Sequence, residues 1–68
     1  MLMNQGGREA RVRYMPGTFR LLVHGDHVRC AVTDARIPLD QLRYWSVARQ
    51  EAYADASASF EGERRASR

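Results

Sequence analysis

Cys30 is the only cysteine in this 68-residue chain, and that fact constrains the fold more than any other. An internal disulfide is excluded. A single core of this size supplies only about 3 to 5 kcal/mol, so with no disulfide the usual supplements are a metal or a partner chain. The segment around the cysteine, VRCAVTDARIPLDQLRYW at residues 28–45, has the rhythm of half a zinc ribbon: strand, cysteine, tight turn, hydrophobic return strand. Structural zinc takes four Cys or His ligands, commonly as two pairs, each on a tight knuckle. His24, His27 and Cys30 stand at three-residue intervals, but the knuckle's second cysteine position holds Thr33, a poor ligand, and no second pair follows. Alternation along a strand also turns His27 and Cys30 to opposite faces. The expectation is a ribbon-like turn without metal or other cofactor, with Cys30 packed as a small hydrophobe.

Upstream, ARVRY at residues 10–14 alternates apolar residues with Arg, the two-residue period of a half-buried strand. Met15, Pro16 and Gly17 supply a turn. A second strand over Thr18–Val23 places Phe19, Leu21 and Val23 on one face, and Arg20 and Leu22 on the other. Gly25 and Asp26 close it. A third strand over residues 27–32 points Val28, Cys30 and Val32 inward, with His27, Arg29 and Ala31 outward. After the turn at Thr33, Asp34 and Ala35, Pro38 cannot donate to a ladder, so a fourth strand around residues 42–45 begins at an edge. Ser46 reads as the N-cap of a helix running to about residue 58, with Tyr53, Ala56 and Phe60 as its apolar stripe. The predicted fold is α+β: a small antiparallel meander of three to four strands followed by one C-terminal helix. It occupies residues 9–60 as a single domain, with residues 1–8 as a flexible lead-in and EGERRASR, residues 61–68, as a disordered tail.

No catalytic residue is expected. A reactive cysteine needs a nearby cation, His or helix N-terminus, and alternation turns Arg29 and His27 away from Cys30. No Ser, His and acid constellation or Gly-rich phosphate loop is present. No apolar run reaches the roughly 20 residues of a membrane span, and the N-terminus lacks the order of a signal peptide. A cytoplasmic, non-enzymatic protein without a membrane partner is therefore expected.

Two binding readings follow from the charged and aromatic residues. The formal net charge is +3, and every basic residue is Arg. A regular meander places Arg11, Arg13, Arg20 and Arg29 on one outer face beside His27, a surface able to attract nucleic acid. Sheets that read single strands set aromatics on that same face, whereas Tyr14 and Phe19 fall on the apolar side. The other reading rests on LRYWSVARQEAY, residues 42–53, which gathers Arg43, Tyr44, Trp45, Arg49 and Tyr53, residue types enriched at binding hot spots. Successive strand residues point oppositely, so Tyr44 and Trp45 require two different surfaces. This argues for helix packing or for a partner chain, and the reading adopted is a homodimer or an unknown protein partner contacting residues 43–53, with exchange of the C-terminal strand and helix as one route to the dimer. Nucleic acid binding through the Arg face is the alternative.

The run CAVTDARIPLDQLRYWSVARQEAY, with RYMPGTFRLLVHGDHV upstream, resembles a small bacterial family of unknown function whose members are about seventy residues long. The similarity spans residues 10–54, and its order of Cys-Ala-Val-Thr, turn, Ile-Pro-Leu and Arg-Tyr-Trp-Ser-Val is specific. The resemblance implies Gly at the position of Asp34, and Asp still tolerates a left-handed turn. It implies no activity or cofactor.

Overall fold

The computed structural model describes residues 7–66 and has the α+β composition expected, with one C-terminal helix. Its strands are arranged differently from a meander. Among the described residues six short strands form three antiparallel hairpins, and each hairpin is a separate two-stranded sheet. The body is elongated, 43 × 22 × 17 Å.

The first hairpin pairs β1, Arg11–Met15, with β2, Thr18–Val23. Met15 faces Thr18 across Pro16 and Gly17. Gly17 sits at φ +79°, the left-handed value that the position after Pro takes in a type II turn. Val12 pairs with Leu21 and Arg11 with Val23, so Leu22 is an extra, bulged residue. That bulge moves Val23 into register with Arg11 and off the Phe19 and Leu21 face, against the regular alternation predicted.

The second hairpin pairs β3, His27–Arg29, with β4, Arg36–Pro38. Here β3 does not add to the edge of β2 as a meander requires. The chain turns back at residues 24–26, and His27 bridges Glu9 in parallel instead. The Ala10 amide donates to the His27 carbonyl at 2.7 Å, and the Asp26 amide to the Arg8 carbonyl at 2.9 Å. Gly25 permits this return, since a Cβ there would collide with the backbone of Ala10 and Arg8. His27 is consequently buried, with Nδ1 2.8 Å from Asp26 Oδ1, and does not lie on an outer face. The third strand also ends at Arg29, before the knuckle at residues 30–34.

The third hairpin pairs β5, Tyr44–Ser46, with β6, Glu51–Tyr53. Ser46 is therefore a strand residue, not the predicted helix cap, although its hydroxyl does accept a turn amide, from Arg49 at 3.0 Å. Gln50 closes the turn at φ +55°. The helix α1 runs over Ala56–Ala66 and is capped by Asp55, whose Oδ1 accepts the Ala58 amide at 2.8 Å. Its buried residues are Ala58 and Gly62. The predicted stripe is thus corrected: Phe60 is 71% exposed. The helix also continues through residues 61–66, where a tail was expected, because Gly62 packs on Tyr53 and Glu61 pairs with Arg64 and Arg65. The rest of that expectation, and residues 1–6 of the lead-in, fall outside the described residues.

The core gathers Ala10, Tyr14, Val28, Cys30, Ile37, Leu42, Ala52, Tyr53 and Ala58, drawn from all three hairpins and the helix. Among the described residues no helix is long and apolar enough to cross a membrane.

Candidate functional site

Cross-strand partners share a face, so Tyr44 and Tyr53 lie on one side of the third hairpin and Trp45 and Ala52 on the other. The second surface demanded by adjacent aromatics is supplied within the chain. On the tyrosine side the helix brings Gly62 against the Tyr53 ring, and Tyr53 is only 1% exposed. Its hydroxyl donates to Glu51 Oε1 at 2.8 Å and accepts from Arg49 Nη2 at 2.9 Å. Arg49 also reaches Glu63 on the helix at 2.9 Å. Burial, with the Glu51 carboxylate adding to it, pushes the Tyr53 hydroxyl above its ordinary pKa despite the cation beside it. Bonding to Tyr53 and Glu63 raises the already high pKa of Arg49 further.

On the other side, Trp45 docks onto the first hairpin. Its ring stacks on Tyr14 with centroids 5.9 Å apart and meets Phe19 edge to face at 5.8 Å. Its indole N–H donates to the Met15 carbonyl at 3.0 Å. Beside it, Gln50 Nε2 donates to the Tyr14 carbonyl at 2.8 Å and Gln50 Oε1 accepts the Tyr14 amide at 2.9 Å. A side chain thereby closes the β1 edge in the manner of a pairing strand. Of the five residues singled out as a hot spot, Trp45, Arg49 and Tyr53 are joined in these internal contacts, while Arg43 and Tyr44 remain exposed. Gln50, Gly62 and Asp55 carry architecture that the pattern reading does not reveal.

Among the described residues the outer edge of β2 has no such cover. Both backbone groups of Tyr14 face Gln50, away from β2. In an antiparallel ladder outward and inward pairs alternate, so its partner Phe19 presents amide and carbonyl at the opposite edge, as does Leu21 two residues on. Among the described residues no strand or backbone hydrogen bond reaches that edge. Arg13 stands directly across from Arg20, with Arg11 further along the same strand face. All three are exposed, and none makes an ion pair among the described residues. Arg29 is not part of this group: it lies on the second hairpin opposite Arg36 and donates to the Asp34 carbonyl at 3.0 Å. The single four-Arg face is therefore divided, because the sheet itself is divided.

Cys30 occupies the ribbon-like turn. Its Sγ accepts the amides of Val32 and Thr33, each at 3.4 Å, and Asp34 takes the left-handed position at φ +64°. Burial pushes the thiol up, but bonds from the Thr33 hydroxyl and from the Thr33, Ala54 and Val32 amides outweigh it and hold the pKa below the usual value. This is the backbone of a metal knuckle with Thr33 in place of a second thiol. Among the described residues no group of three His, Cys, Asp or Glu side chains is placed to hold a metal ion.

A family model described as an uncharacterised protein conserved in bacteria (DUF2093) matches residues 21–62. No curated protein and no solved structure matches the chain.

Proposed function

The chain belongs to the DUF2093 family of uncharacterised bacterial proteins, and we propose that it is a cytoplasmic, non-enzymatic interaction module that docks a protein partner. The observation supporting this reading is the asymmetry of the first hairpin. One edge and one face are covered by Gln50 and Trp45, while the β2 edge and Arg11, Arg13 and Arg20 have no counterpart among the described residues. The third hairpin acts as a clamp that stiffens this surface. Its aromatic and cationic groups are committed to one another, so residues 43–53 contribute to partner contact chiefly through Arg43 and Tyr44. Homodimerisation is part of the same proposal, since Leu22, Tyr44 and Phe60 are large apolar side chains left exposed. Affinity purification from the native bacterium, with nuclease treatment as control, tests the module reading. Recovery of a defined, nuclease-resistant protein partner supports it, and retention of nucleic acid alone contradicts it. Sedimentation of a strict monomer at high concentration contradicts the dimer.

A second reading, nucleic acid binding, is favoured by one observation: Arg13 faces Arg20 with no ion-pair partner for either among the described residues. Phosphate contact is the chemistry available there, because Tyr14 and Phe19 lie on the opposite face against Trp45. Binding of this kind weakens steeply with salt and shows little base preference, which anisotropy titration at low and moderate salt measures.

A further inference from the structure

We propose that the outer edge of β2, at residues 18–21, is a strand-addition site for an extended protein segment in which an acidic residue is flanked by apolar ones. The inference rests on the module reading and names the partner's chemistry. Three features carry it. Phe19 and Leu21 each present an amide and a carbonyl at an edge that nothing among the described residues pairs, two donors and two acceptors at the spacing a β-strand recognises. Natural edges are commonly guarded by charged side chains, Pro or a bulge. Here β2 has no Pro, its bulge falls at Leu22, beyond this stretch, where it limits how far an added strand extends, and its one charge, Arg20, disfavours a basic occupant and leaves the edge open to an acidic one.

Charge sets the sequence of the occupant. Like charges directly opposite on a sheet disfavour pairing, and Arg13 and Arg20 are in that position with Arg11 nearby. A strand laid against β2 places one residue beside Arg20 on this basic face. A carboxylate there offsets the Arg13–Arg20 repulsion. Its two neighbours point to the other face, beside Phe19 and the exposed Leu21, where apolar side chains extend the surface formed with Trp45. A second copy pairing antiparallel through β2 instead brings Arg20 of each chain into one basic face, which increases the repulsion.

The test uses the full chain and a labelled peptide of alternating Glu and Val, compared with the Lys and Val counterpart and with a Glu peptide N-methylated along its pairing edge. The Glu peptide is expected to bind about tenfold more tightly than the Lys peptide, Arg20→Glu to reverse that preference, and N-methylation to abolish binding. Nitrogen-15 NMR must place the shifts at Phe19 and Leu21 and leave Tyr14 unchanged, a readout that does not depend on any variant folding. Equal affinity for both charges, indifference to N-methylation, or a single-stranded oligonucleotide competing through the same arginines without peptide binding overturns the proposal. So does concentration-dependent protection of Phe19 and Leu21 without peptide, which assigns the edge to a second copy. If the native partner is retained equally by Arg20→Glu protein, the edge site fails while the module reading stands.

Discussion

The side-chain amide of Gln50 bonds both backbone groups of Tyr14, donating at 2.8 Å and accepting at 2.9 Å across 36 residues of chain. Removing it as Gln50→Ala leaves two backbone groups to water and is expected to cost about 1 to 3 kcal/mol. Gln50→Glu keeps an acceptor for the amide but loses the donor to the carbonyl, so it is expected to destabilise as well. Urea titration of the two variants measures both effects.

Trp45 is the only tryptophan, so its fluorescence reports directly on contact between the first and third hairpins. Trp45→Ala removes two aromatic contacts and the bond to Met15, a loss of about 3 to 5 kcal/mol, comparable to the whole stability of a domain this small. No cooperative melting transition is expected. Trp45→Phe keeps ring packing but not the indole donor, and is expected to melt cooperatively at a lower temperature.

Gly62 lies where a Cβ would come within 2.5 Å of Tyr53 Cε1, and Arg49 and Glu51 hold that ring by its hydroxyl. Gly62→Ala is therefore expected to destabilise by about 1 to 3 kcal/mol through overpacking, although alanine is the better helix former. Thermal melts of Phe60→Ala against Phe60→Gly, at a helix position that is 71% exposed, measure the propensity difference alone and separate it from the packing cost.

The Tyr53 hydroxyl is held above its ordinary pKa by burial and by Glu51. Tyr14 is raised too, by burial and by Glu9. A group raised on folding contributes stability that is fully present below its unfolded value, near 10 for Tyr, and lost as pH rises through the folded value. Melting temperature is therefore expected to fall on the alkaline side of about pH 10 as phenolate absorbance appears. Tyr53→Phe is expected to start lower and to decline less steeply over that range.

The first hairpin is readable from ARVRY, Pro-Gly and the alternation that follows, because local period and turn chemistry act alone there. The knuckle around Cys30 is equally legible, down to Thr33 and Asp34. The third hairpin is not, since SVARQEAY carries helical propensity and the cap-like Ser46, while tertiary packing of Trp45 and Tyr53 on opposite sides makes it a pair of strands. The separation of the sheets depends on Gly25 passing over Ala10, a contact with no local signature. The open β2 edge follows from that one return. It is the feature that pattern reading places inside a meander.

Amide hydrogen exchange resolved by residue reads both edges of the first hairpin at once, the one closed by Gln50 and the one that stands open among the described residues. A protected Tyr14 amide, exposed by Gln50→Ala, is expected together with rapid exchange at Phe19 and Leu21 in dilute protein. Protection of Phe19 and Leu21 matching that of the β1–β2 ladder, or rapid exchange at Tyr14 in the unmodified chain, would contradict it.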